Sequence, residues 1–158
     1  MNTDYELLSA CLAAVVWMVL LLLALTFLSA IARVLRRVPP EHRRIGPGQV
    51  WLNLIPVFNL VWATVTVERV AESLRNEFVA RGLHGPEERY GRRAGLTMLT
   101  LLVVGALGLI GRGDLNVLMI VTYPLAFLHW VSYWVQMNRY FARLKPGAYT
   151  PPPTEEGW

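Results

Sequence analysis

The stretch Val50-Trp51-Leu52-Asn53-Leu54-Ile55-Pro56-Val57-Phe58-Asn59-Leu60-Val61-Trp62-Ala63-Thr64-Val65-Thr66-Val67 carries no charge, yet holds Asn53, Pro56 and Asn59 in its first half. Its length approaches the roughly 20 helical residues that a bilayer core of about 30 Å requires. A helix cannot run through it unbroken. Pro56 has no N–H to donate and its ring clashes with the preceding turn, so a helix entering at Val50 should break near Ile55, and a second can start with Pro56 in its first turn. In lipid the freed carbonyls need internal partners, and the amides of Asn53 and Asn59 are the nearest side-chain donors. Trp51 and Trp62 suit the headgroup level, where amphipathic aromatics collect.

Outward from this segment lie three plainer uncharged, apolar runs: Leu7 to Ala32, Ala94 to Gly111, and Val117 to Met137. The first and third are long enough to span a bilayer and the second is just long enough. Hydrophobic residues make up 54% of the chain and charged residues only 16%, an excess that a soluble domain of this size does not bury. Three spans follow, at about 7–32, 94–111 and 117–137. Ala30-Ile31-Ala32 resembles a processing site, but the leading residues carry Asp4 and Glu6 with no basic residue, and the apolar run is too long for a signal core. A retained anchor is expected.

The basic residues decide the orientation. If 50–67 crosses the membrane, the bias of Lys and Arg runs against the positive-inside rule. If it dips in and returns, all Lys and Arg residues but one share a side, and Arg112 alone faces the other. The expected fold is an all-α membrane protein: three transmembrane helices plus a Pro-broken re-entrant or interfacial segment, with a fourth full span as the alternative. The N-terminus lies outside and the C-terminus in the cytoplasm. Residues 1–145 form one membrane-embedded helical domain; 146–158, with three consecutive prolines, form an extended tail.

From Leu60 onward the pattern continues into residues 68–81, with Val67, Ala71, Leu74 and Phe78 at three- and four-residue steps, which predicts an amphipathic cytoplasmic helix. Glu72 to Arg75 and Glu77 to Arg81 sit at helical contact spacing, and Gly82 ends the helix. Pro86-Glu87-Glu88 reads as the start of the next helix, and Gly111 to Asn116 as a short outer turn in which Asp114 or Asn116 caps the last span.

The segments Arg43-Arg44-Ile45-Gly46-Pro47-Gly48, Trp51 to Trp62, Ala71-Glu72-Ser73-Leu74 and Glu77-Phe78 resemble a family of small bacterial inner-membrane proteins classed as a domain of unknown function. In that family a Pro-Gly turn, a Trp-Leu-x-Leu-Ile-Pro-x-Phe-Asn-x-x-Trp core and a Ser-Leu-x-x-Glu-Phe helix precede two apolar helices. The resemblance covers about residues 40–140. It implies the architecture and a bacterial inner membrane, and brings no activity or cofactor.

Chemistry is sparse. His129 is the only ionisable group inside an apolar run, near Tyr123, Trp130, Tyr133 and Trp134 in sequence, and no span supplies it with a carboxylate. It reads either as an intramembrane polar site or as a structural histidine bonded to a neighbouring helix. His42 and His84 lie in loops; three scattered histidines and the single Cys11, inside the first run, do not make a metal site. No serine sits in a nucleophile context and no phosphate-binding glycine loop is present. No cofactor, catalytic residue or nucleic-acid partner is expected. Arg33, Arg36, Arg37, Arg43 and Arg44 either bind anionic lipid headgroups or set topology. Gly91 and Gly95, like Ala10 and Ala14, permit close helix approach within or between chains.

Three functions fit these residues. One is a non-catalytic, partner-binding or accessory membrane module, working through its cytoplasmic helix and loops. Another is a small oligomeric carrier or channel with the Asn53, Pro56 and Asn59 segment lining a cavity. The last, a membrane enzyme, lacks an acid, base or metal at depth.

Overall fold

In the computed structural model, which describes residues 2–85, 88–110 and 117–144, the chain is helical and contains no strand among the described residues. Four helices carry it: α1, Asn2–Arg37; α2, Pro56–Ala80; α3, Arg92–Ile110; and α4, Val117–Arg143. Two of them are long and apolar enough to cross a membrane, over Asp4–Arg37 and Leu118–Arg143. The outer turn at 111–116, the Pro86-Glu87 helix start and the tail at 146–158 lie outside the described residues.

Between α1 and α2 the backbone does what the proline requires. A short 3-10 helix, Gln49–Leu54, stops at Ile55, whose φ of −83° and ψ of 111° are extended, and α2 begins with Pro56 in its first turn. The polar groups freed at the break find local partners. The Ile55 N–H donates to the Leu52 carbonyl, Asn59 N–H to the Ile55 carbonyl at 2.8 Å, and Asn53 Nδ2 to the Val50 carbonyl at 2.8 Å. These bonds are local and the break is not covered by the rest of the chain: Leu54, Ile55, Val57 and Phe58 are exposed, Val57 to 82%. From Pro56 the helix continues without interruption to Ala80, and Gly82 ends it in the left-handed region at φ 65°.

The buried core lies at one end of the helices. It joins Leu28, Ile31, Val34, Leu35 and Val38 of α1 and the residue after it to Val67, Val70, Leu74 and Phe78 of α2 and to Tyr133, Met137 and Tyr140 of α4. The apolar stripe that the sequence marks on 68–81 is therefore spent inside the chain. Ion pairs tie the same end together: Arg92 to Glu68 at 2.9 Å, Arg143 to Glu88, and Arg81 to Glu77, whose other carboxylate oxygen is hydrogen-bonded to His42. Arg37 donates to the Phe141 carbonyl at 2.6 Å with its guanidinium 3.5 Å from the Phe141 ring centroid.

The chain before the break and the chain after it meet at this end. The Arg44 N–H donates to Ser73 Oγ at 2.7 Å, Asn76 Nδ2 to the His42 carbonyl at 3.3 Å, and His42 Nδ1 lies 2.6 Å from Glu77 Oε2. Close helix approach is also resolved inside the chain. A Cβ at Gly95 would stand 2.6 Å from Val67 Cγ1 and 3.1 Å from Tyr133 Cε2, so the missing side chain lets α3 seat against α2 and α4.

Candidate functional site

Asn53 and Asn59, placed on either side of the break, both line a cleft of about 380 Å³ between the four helices. Its walls are apolar, with Phe27 of α1, Met98 of α3 and Trp130 of α4 among them. Four neutral polar side chains enter this lining: Asn53, Asn59, Thr66 and Tyr133. Asn53 Nδ2 is shared between the Val50 carbonyl and Thr66 Oγ1, the latter at 3.0 Å, which fixes the amide to the first half of α2. Tyr133 is wholly buried and its hydroxyl has no hydrogen-bond partner among the described residues. A buried hydroxyl without a partner costs about 1–3 kcal/mol, so this one is a standing demand for an acceptor or donor.

The other members of the predicted segment shape the cleft from outside. Pro56 sets the break, Trp62 Nε1 donates to the Gln49 carbonyl at 2.9 Å, and Trp51 packs on the core. Phe58 packs on Trp62 with ring centroids 5.0 Å apart. Thr66 and Tyr133 are not legible as site residues in the sequence, since nothing local distinguishes them. Only the crossing of α2 and α4 brings them to the asparagines.

The arginine group divides. Arg43 Nε donates to the Val38 carbonyl at 2.6 Å and its Nη2 to the Arg36 carbonyl, closing the C-terminal end of α1, and Arg37 is held by Phe141. Arg33, Arg36 and Arg44 remain exposed. His129 is not at the cleft. Its Nδ1 lies 2.9 Å from the Leu125 carbonyl, one turn earlier in the same helix, so the bond runs within α4 and not to a neighbouring helix.

A second buried arrangement is one that the sequence reading does not reach. Glu77 is 2% exposed and bridges His42 Nδ1 at 2.6 Å and Arg81 at 2.5 Å, one oxygen to each. The i,i+4 spacing to Arg81 is visible in the sequence, but the histidine arrives from a distant segment before the break. Nearby, Tyr90 is buried against Phe78 and Tyr140 with its hydroxyl 2.7 Å from His84 Nδ1. Burial, then the Glu88 carboxylate, pushes that phenol up to about 12.

Among the described residues no three of His, Cys, Asp and Glu converge to hold a metal ion. The cleft itself has no charged residue in its lining. It offers apolar surface with a few hydrogen-bonding groups, a surface suited to holding a ligand. Comparison with protein-family models, with curated proteins and with solved structures finds no match to this chain.

Proposed function

We propose that this chain is a non-catalytic, multi-pass protein of a bacterial inner membrane, an accessory module that holds a membrane-embedded partner. The observation that carries the reading is the first half of α1. Every residue from 4 to 23 is exposed, including Leu7, Leu8, Leu12, Trp17 and Leu20, and no other described element buries them. So long an uncovered apolar stretch needs lipid or protein around it.

The proposed topology has three spans, an outer N-terminus and a cytoplasmic C-terminus, with 50–67 re-entrant or interfacial. It is supported by the hydrogen bonds that join residues 42–44, before the break, to residues 73–77, after it. The bilayer is the first partner of this module. The second is a transmembrane helix, from another protein or a second copy, seated on the bare half of α1. The stripe of α2 is already buried in the chain's own core, so partner binding moves from that helix to α1.

A small oligomeric carrier is the second reading, favoured by the meeting of Asn53 and Asn59 in the cleft. Single cysteines in a Cys11→Ser background test the topology: Tyr5→Cys should label only from the periplasm and Glu72→Cys only from the cytoplasm. Periplasmic labelling of Glu72→Cys sinks the re-entrant reading. Photocrosslinkers at Leu12 and Leu20 should yield protein adducts in native membranes, and lipid adducts alone would remove the partner. Solute flux in liposomes that Asn59→Ala abolishes would instead establish the carrier.

A further inference from the structure

Where α3 begins, two polar grooves flank its first turn, and they differ in one respect. One holds Arg75, Arg89, Arg92 and Arg93 together with Glu68, Glu72 and Glu88, and Arg92 is already paired with Glu68. Its four arginines face three carboxylates. The other, about 480 Å³, presents Arg89 and Arg93 with no carboxylate in its lining, and beside them Thr97, His129, Ser132 and Gln136. Neither Arg89 nor Arg93 has an ion-pair partner among the described residues.

The order of these groups along the helices is informative. Gly91 and Gly95 both abut the Tyr133 ring, which sets Arg93 level with that part of α4. Thr97 then lies one helical turn further along α3, about 6 Å from Arg93, and His129 one turn before Tyr133 on α4. Two guanidinium groups therefore stand at the mouth of the apolar stretch that starts at Ala94, with the Gln136 amide on the outer side of Tyr133 and the Ser132 and Thr97 hydroxyls and the His129 ring continuing inward. Gln136 Nε2 donates to Ser132 Oγ at 3.1 Å, so that wall is already ordered.

We propose that the groove between the start of α3 and the second half of α4 is a site for an anionic phospholipid, with the phosphate on Arg89 and Arg93 and the ester carbonyls received by the hydroxyls of Ser132 and Thr97. The proposal rests on the membrane reading above, because the ligand is delivered from the bilayer. A phosphate diester matches the two planar forks, and the ester groups of a glycerophospholipid lie next inward from its phosphate. His129 lines the same groove one turn before Tyr133, with its Nδ1 at the Leu125 carbonyl.

The test uses the purified full chain in phosphatidylcholine nanodiscs titrated with phosphatidylglycerol, the retained lipid being counted by native mass spectrometry. Phosphatidylglycerol should be retained over phosphatidylcholine. Arg89→Gln/Arg93→Gln should weaken it about thirtyfold, the equivalent of two basic residues at about 1 kcal/mol each. Arg33→Gln/Arg36→Gln removes the same charge elsewhere at that end and should leave retention unchanged; equal loss in both doubles would overturn the site in favour of diffuse charge. Gln136→Leu, which keeps every arginine, should also weaken retention, and wild-type retention there overturns the groove. Displacement by soluble glycerol phosphate at comparable concentration would mean that the ligand is a free phosphate ester and would overturn the lipid. Alkaline extraction from phosphatidylcholine vesicles is measured alongside. Release of the chain defeats the membrane reading, whereas firm insertion without lipid preference defeats this proposal alone.

Discussion

The two halves of α1 are both strongly apolar and have opposite surroundings. Residues 4–23 are rich in leucine and valine and are all exposed; residues 28–38 hold Leu28, Ile31, Val34, Leu35 and Val38, each at 5% exposure or less. One helix is thus a core element at one end and a bare apolar rod at the other. Hydrophobicity alone therefore does not decide burial. What decides it is whether the rest of the chain is long enough, and turned the right way, to reach that stretch of helix.

Substitutions can break this contrast, and the largest effect is expected where charge is buried beside the core. Glu77→Ala removes the shared acceptor of His42 and Arg81 and should cost about 4 kcal/mol in denaturant unfolding in detergent. A loss under about 1 kcal/mol would mean that this carboxylate is not buried between His42 and Arg81. Leu35→Ala, at a fully buried position of the lower half, should destabilise by about 3 kcal/mol. Gly95→Ala puts a Cβ against Val67 and Tyr133 and should cost about 2 kcal/mol, measured the same way, by forcing α3 off its neighbours.

The sharpest comparison is the smallest effect. Leu12→Ala makes in the upper half the change that Leu35→Ala makes in the lower, and should shift unfolding by less than about 0.5 kcal/mol. Leu12→Arg, by contrast, should reduce membrane insertion by about 3 kcal/mol as read from glycosylation-tagged or protease-protected fractions. Normal insertion of Leu12→Arg would mean that this half of α1 does not sit in lipid.

The positions at which sequence reasoning succeeds are governed by neighbours in the chain. The break at Ile55, the start of α2 at Pro56, its end at Gly82 and the bond from Asn53 to a freed carbonyl all follow from the geometry of one or two residues. The buried stripe of Val67, Ala71, Leu74 and Phe78 follows from the helical repeat. The helices overrun their apolar runs, to Arg37 in α1 and Arg143 in α4, because the packed end supplies those last turns with partners such as Phe141 and Glu88. Periodicity cannot reveal that the amphipathic face of α2 is used up internally.

Within residues 50–67, the amino acids alone determined that the stretch must break and where, because sterics at a proline act over very short distances; of the two amides offered as donors to the opened backbone, Asn53 is the one whose side chain bonds a carbonyl there. Only the tertiary structure decided that its two flanks return to one end through His42, Arg44, Ser73 and Glu77. It alone brought Asn53 and Asn59 to Thr66 and Tyr133 around one cleft, and set His129 beside Arg89 and Arg93. Those meetings depend on how four helices cross, and crossing is fixed by close contacts such as Gly95 on Val67, which no single stretch of sequence contains.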